Sequence, residues 1–337
     1  MLSVSDLADG AAALSGAPDQ DPLALIDLAT LCGATEAAID QAVRRSYDPH
    51  VVLVGVSPTP LPHDSLRLLE ALTCTLAPTG PGRAWVATDP AALERLASSV
   101  RSAPHAALTL ANLLPTVACS SVESALVLES LAYSTLLGGA AHLEWRARTP
   151  IRKVPDVTDA VLLRRDTNVL TVTLNRPERR NAFGHALRDA VIDALTIAEL
   201  DGTIATVHLG GNGPSFCAGG DLDEFGTASD PAAAHITRLG RSAGLVVHRL
   251  RERVRPVLHG ACIGAGIEIP CFADRVVARD GSWFRLPELA MGLIPGAGGT
   301  VSLTRRIGRH RTAYMALTGD RVDLGTALSW GLVDARV

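Results

Sequence analysis

Several things are missing from this chain, and each absence removes a class of function. No basic run stands out and the formal net charge is −4, so the clustered Lys and Arg that phosphate backbones require are not there and nucleic acid is not an expected partner. The six cysteines (32, 74, 119, 217, 262, 271) form no close pairs and have no histidines at metal-ligand spacing; they are expected to stay reduced, as small buried hydrophobes. No uninterrupted apolar stretch reaches the roughly eighteen residues that span a bilayer. The start, Met-Leu-Ser-Val-Ser-Asp, lacks the positive charge and apolar run of a secretion signal. The expectation is a cytoplasmic protein. Gly264-Ala265-Gly266 does not continue as a dinucleotide fingerprint, which argues against a nicotinamide cofactor.

What is present is a compact composition and a set of glycine-rich turns with carboxylates behind them. Of 337 residues 47% are hydrophobic and 20% charged, as expected of one or two globular domains. A seam lies at residues 148–157, where two prolines bracket a basic patch, and divides residues 1–150 from 158–337. After it, residues 160–165 and 169–174 alternate as a hairpin around Asp166-Thr167-Asn168. Residues 186–200 read as an amphipathic helix with Leu187, Ala190, Val191, Ala194, Leu195 and Ala198 on one face. Strands are expected at 204–209 and 256–258, the latter entering the Gly264-Ala265-Gly266 turn and a helix that runs through Ala273. The strand, loop, helix rhythm is that of the α/β class. In the first half, a helix over 38–48 followed by a strand over 51–56 echoes 191–201 and 204–209, with aspartates eight apart in both copies. The first copy then carries Ser-Pro-Thr-Pro-Leu-Pro (57–62) in place of a glycine loop.

Glycines after a strand let backbone N–H groups meet a ligand with no Cβ in the way. Ala218-Gly219-Gly220-Asp221 and Gly264-Ala265-Gly266 are two such places. If their N–H groups converge, they stabilise an oxygen that gains negative charge. Glu268 follows the second turn, and Glu288 follows a proline in an apolar stretch. Either glutamate alone reads as a cap or surface group; two beside two candidate oxyanion loops point to acid–base chemistry next to a thioester carbonyl. His185, His208, His235, His248 and His259 have no partners at nucleophile or metal spacing and read as structural or surface groups. Ser215 and Cys217 lack a recognisable base.

Residues 174–183 (Leu-Asn-Arg-Pro-Glu-Arg-Arg-Asn-Ala-Phe), 215–222 (Ser-Phe-Cys-Ala-Gly-Gly-Asp-Leu), 264–268 (Gly-Ala-Gly-Ile-Glu), 286–300 (Leu-Pro-Glu-Leu-Ala-Met-Gly-Leu-Ile-Pro-Gly-Ala-Gly-Gly-Thr) and 317–334 resemble, in order and spacing, the successive signatures of the enoyl-CoA hydratase/isomerase (crotonase) superfamily. The resemblance covers roughly residues 158–337. It implies an α/β fold, a spiral of ββα turns, with a mainly helical region in front. It places the oxyanion amides at Gly220 and Ala265, where alanine replaces the more usual glycine but keeps its N–H. It maps the two hydratase glutamates onto Glu268 and Glu288; keeping both favours hydration of a 2-enoyl-CoA over isomerisation, other lyase chemistry or hydrolysis of a specialised acyl-CoA, and argues against a decayed binding or scaffold protein. It places the coenzyme A nucleotide near Arg179, Arg180 and Ala182, with Ala218 and Asp221 beside them. No metal or redox cofactor is implied, coenzyme A arriving as part of the substrate, and a homotrimer or hexamer is the expected assembly. Family members continue for several helices after Gly-Leu-Val-Asp. Here residues 85–114 and 122–148 have the pattern of those helices, so residues 85–150 are expected to take their place, as a permuted or pseudo-duplicated arrangement, with Trp145, Arg146, Arg148, Arg152 and Lys153 near the CoA end.

Overall fold

A computed structural model describes residues 1–11, 21–47, 51–87, 89, 91–153, 158–228 and 230–337. Residues 154–157 of the seam and Asp48 of the helix–strand echo lie outside the described residues.

The first 86 residues form a parallel four-stranded sheet, β1 (Leu2–Ser3), β2 (Leu23–Asp27), β3 (Val52–Val56) and β4 (Cys74–Leu76), in that spatial order. Its connections carry helices α1 (Val4–Ala8), α2 (Glu36–Arg45) and α3 (Leu66–Ala71). Side chains alternate across a strand. Ala24, Ile26, Val51 and Leu53 therefore join α1–α3 in a small core, while Leu23, Val52, Val54, Cys74 and Leu76 face the other way into the main one. A sheet buried on both faces reads as a continuous apolar run rather than an alternating one, as Val51-Val52-Leu53-Val54 does.

Four helices follow: α4 (Ala92–Ser102), α5 (Pro104–Cys119), α6 (Val122–Leu137) and α7 (Ala140–Arg148). Pro104 sits at the first position of α5, where its missing N–H costs nothing. Ser121 caps α6 by accepting the Ser124 N–H. Among the described residues no single helix is long and apolar enough to cross a membrane.

The second half holds the expected hairpin, β5 (Val161–Asp166) antiparallel to β6 (Val169–Leu174), then α8 (His185–Leu200) with its predicted face buried. The next strand, β7, runs Thr206–Gly211, two residues later than expected. Ile204 N–H is taken by Asp201 O in the turn that ends α8. After α9 (Pro231–Gly240) and α10 (Ala243–Arg249) come β8 (Val254–Leu258) and β9 (Ala261–Ile263). The helix expected to reach Ala273 is short: α11 covers only Ala265–Glu268, and Pro270, with no N–H to donate, opens a 3₁₀ turn instead. Then come β10 (Val277–Ala278), β11 (Trp283–Arg285), α12 (Gly299–Ile307), α13 (Arg309–Thr318), β12 (Val322–Asp323), α14 (Leu324–Trp330) and β13 (Ala335–Arg336).

The large sheet has the order β13-β10-β8-β7-β6-β5 and the small one β12-β11-β9. Each pass of the chain lays one strand in the large sheet and the next in the small one: β8 then β9, β10 then β11. Between β7 and α9 the same step is reduced to a single parallel bridge, Cys217 to Cys262. These are the turns of the ββα spiral. The four helices before the seam pack on it, α4 and α5 against α13, α5 and α6 against α12, and α6 against α9. One continuous hydrophobic core runs from Leu23 to Val333 across the seam.

Candidate active site

Two glycines with left-handed backbones build the centre. Gly219 has φ +94° and Gly264 φ +49°, conformations that cost a side-chain-bearing residue but not glycine. A Cβ on Gly264 would stand 3.7 Å from the Cα of Gly219, and one on Gly266 only 2.3 Å from the carbonyl of Cys217. Bare backbone therefore lets the two turns touch. The residues that follow each turn's glycine, Gly220 and Ala265, line the same cavity. Ala265 opens α11, where a first-turn N–H has no partner within the helix. Among the described residues neither amide enters a backbone hydrogen bond.

Glu268 and Glu288 meet over Gly264. A Cβ built there would lie 2.6 Å from Glu288 Oε1 and 3.6 Å from Glu268 Oε1. Glu268 Oε2 accepts the N–H groups of Ala297 and Gly299, each at 2.8 Å, which leaves its Oε1 to face the turn. Glu288 opens a 3₁₀ turn, Glu288–Met291, and its buried Oε2 has no hydrogen-bond partner. Burial raises both carboxyls. Glu268 is pushed up to about 7, its two amide bonds pulling the other way. Glu288 is driven well above the carboxylate range by burial and then by the charge of Glu268.

A third carboxyl, absent from the sequence reading, comes from the first half of the chain. Glu129 on α6 is 2% exposed. Its Oε1 accepts Gly298 N–H at 2.8 Å, and its Oε2 accepts Thr300 N–H at 2.9 Å and Thr300 Oγ1 at 2.7 Å. Burial and the neighbouring Glu268 push it up to about 8. Tyr133, one turn on, is raised by burial and carries Arg238 4.7 Å above its ring. That guanidinium also donates to Ser130 Oγ and Ser134 Oγ. The signal for Glu129 was available: Glu123 and Glu129 are the charged residues of α6, and an acid on the buried side of a mostly apolar helix calls for a partner. Its partner, though, lies 169 residues away.

Gly220, Ala265, Glu268, Glu288, Glu129 and Tyr133 all line one cavity of about 820 Å³, a volume suited to a small organic ligand. Helix α7 packs behind it, with His142 and Trp145 edge-on to Phe225, which lines the cavity. His142 Nδ1 lies 3.0 Å from Met291 O, its ring stacks on Trp145, and Arg146 Nη1 donates to the carbonyls of Leu222 and Phe225 at 2.8 and 3.0 Å.

The residues expected to contact coenzyme A divide differently. Asp221 lines the cavity, but its carboxylate is 2% exposed and engaged by Arg179, at 2.5 and 3.1 Å, with the buried Arg176 at 3.6 Å. Arg179 is further tied to Asp223 at 2.6 Å. Both charges are thus spent on one another, and the network fastens the 176–183 turn to the 219–223 turn. Ala218 N–H donates to Arg180 O, one more link between the turns, and Ala182 N–H to Arg179 O closes the first turn on itself. Arg180 is exposed, in the left-handed region at φ +52°. Among the histidines, His235 reaches Ser130 Oγ and His259 the carbonyl of Gly213. No group of three or more His, Cys, Asp or Glu among the described residues is arranged to hold a metal ion.

Comparison with known proteins identifies the family. The family model described as Enoyl-CoA hydratase/isomerase matches residues 164–337. The chain is 35% identical over 176 residues to the 2,3-dehydroadipyl-CoA hydratase of Escherichia coli (strain K12), covering 51% of this chain and 67% of that protein. It is 34% identical over 172 residues to the 1,2-epoxyphenylacetyl-CoA isomerase of the same organism, covering 50% and 66%. The crystal structure of enoyl-CoA hydratase from Thermoplasma volcanium GSS1 superposes with a TM-score of 0.50 at 29% identity, over 53% of this chain and 72% of that one. The chain thus spans about two thirds of the curated relatives it matches. With the family model matching more than half its length, the chain belongs to the enoyl-CoA hydratase/isomerase family.

Proposed function

We propose that the cavity adds water across the double bond of a 2-enoyl-CoA thioester. One observation carries the reading: carboxyl oxygens of Glu268 and Glu288 flank Gly264 in a cavity that Gly220 and Ala265 also line. The amides hold the thioester oxygen as it gains enolate character, and donors in a dry site act strongly because they need not reorient. The two glutamates differ in a way that divides the work. Glu268 accepts two N–H groups, which favours its ionised form, so it takes a proton from the attacking water as it adds to C3. Glu288 has a buried oxygen without a donor and holds its proton, which it delivers to C2. Coenzyme A is the handle of the substrate, with Arg180 the one exposed arginine of the 176–183 turn near its expected nucleotide. The test is to incubate the purified chain with enoyl-CoA thioesters of varied acyl group and follow loss of the conjugated-enoyl absorbance; no loss with any member sinks the reading. A second reading, isomerisation of a specialised acyl-CoA, is favoured by the polar groups Glu129, Ser130 and Arg238 at the cavity wall; product analysis in the same assay separates the two. Assembly as a homo-oligomer belongs to the proposal and is checked by light scattering.

A further inference from the structure

The backbone run 297–300 is held in an alternating pattern. Ala297 and Gly299 donate to Glu268; Gly298 and Thr300 donate to Glu129. Four successive N–H groups are divided between two carboxylates from the two halves of the chain. The alternation depends on glycine: Gly298 has φ +103°, and a Cβ on Gly299 would stand 2.6 Å from Glu268 Cγ. A Glu268 oxygen gripped from one side by a free loop would wander with the loop. Glu129 grips the same loop from the opposite side.

We propose that Glu129 is a positioning residue for the reaction. By fixing Gly298 and Thr300 it immobilises the amides that aim Glu268, so that a helix from the first half of the chain completes the active site. The inference rests on Glu268 being a reacting group, as argued above. A carboxylate at the start of α12 would also serve as a helix cap, since both the unpaired N–H groups and the dipole favour negative charge there. What separates the roles is the setting of Glu129. The groups that influence it or its neighbours electrostatically are Glu268, Glu288, Tyr133 and Arg238. His235 of α9 reaches the adjacent Ser130, α5 offers the exposed His105 and Cys119, and the arginines of α12 lie in its last turn. Glu129 lines the same cavity as Glu268 and Glu288, and once ionised, above about pH 8, it helps Glu288 keep its proton. A simple cap would have no such reach.

The experiment compares Glu129→Gln, Glu129→Ala and Glu268→Gln in the full chain, measuring kcat, KM, their pH profiles and the melting midpoint. The expected result for Glu129→Gln is a fall in kcat on the order of tenfold with KM within about twofold, the pattern of a lost transition-state interaction. Its alkaline limb moves to lower pH, because Glu288 loses a negative neighbour. Glu129→Ala falls further. If Glu129→Gln keeps the parental kcat and pH profile while only its melting midpoint drops, Glu129 is a cap and the proposal is overturned. If the Glu129 variants do not fold, Thr300→Val and Thr300→Ser decide. Valine deletes one bond to Glu129 at nearly constant volume and should lower kcat a few-fold, whereas serine restores it. Parental kcat in both overturns the proposal. Glu268→Gln distinguishes the two failures: parental turnover there removes the hydration scheme and this inference with it, while a dead Glu268→Gln beside an unchanged Glu129→Gln removes this inference alone.

Discussion

The β1–β4 unit and helices α4–α7 lie on the same side of the seam, yet they relate to the catalytic half in opposite ways. The sheet unit has its own small core against α1–α3. It meets the second half through one face of the sheet and a few polar links, such as Arg83 Nη1 to Arg306 O at 2.8 Å and Arg309 Nη1 to Leu72 O at 3.3 Å. Helices α4–α7 have no core of their own. Their buried apolar residues all belong to the core shared with the spiral; they bring Glu129 and Tyr133 to the cavity and set His142 behind its Phe225 wall. A boundary in composition is therefore not a boundary in packing. Our reading of residues 85–150 as a stand-in for the helices that usually follow the family's last motif rests on this second kind of contact.

The severest way to break the comparison is to remove the first half altogether. Residues 155–337 expressed alone should be insoluble or inactive. Stripping α4–α7 from α9, α12 and α13 exposes apolar surface at roughly 25 cal/mol per Å², and Glu268 loses its braced loop. A soluble fragment with full activity would end the stand-in reading. Next in size are the carboxyls themselves. Glu268→Gln and Glu288→Gln should each lower kcat by about a hundredfold or more, the range of general acid–base groups, with binding of CoA esters almost intact in a titration of the pure protein. Near-parental turnover in either variant takes that glutamate out of the scheme.

A matched pair sharpens the contrast between the two regions. Arg146→Ala frees the 222–225 loop from α7 and should raise KM about fivefold through two lost charge-assisted hydrogen bonds. Arg83→Ala, which cuts a comparable bond from the sheet unit, should leave KM and kcat unchanged and only lower the melting midpoint slightly. Equal kinetic effects would erase the distinction drawn between the regions. The smallest effect is on stability against pH. Glu268 and Glu129 are raised from 4.5 to about 7 and about 8. The folded chain thus holds these protons more tightly than the unfolded one, and their contribution is complete below about pH 4.5 and lost as pH rises through 7 to 8. The melting midpoint should fall across that window, and Glu268→Gln should flatten the slope. An unchanged slope would place the titration elsewhere.

The second half was legible because its chemistry is written in local code. Gly219 and Gly264 mark left-handed turns, and β6 and α8 show clean periods of two and 3.6, whereas β5, exposed along most of its length, was found through its turn and partner. The length of α11 was misjudged because the apolar run hides Pro270. The first half yielded less. The strand over 51–56 and the helix before it were readable, but β2 and β4 were not. Strands buried on both faces lack the alternation that identifies a strand.

By itself the sequence determined the spiral, the two close-packed glycine turns and the pair Glu268 and Glu288 behind them, since glycine conformation and motif spacing act within a few residues of the chain. Only the tertiary structure decided that Arg179 and Asp221 spend their charges on one another, and that Glu129 shares the 297–300 amides with Glu268. The reason is physical: a buried charge must find compensation wherever the fold provides it, and the nearest donors to Glu129 are 169 and 171 residues further along the chain.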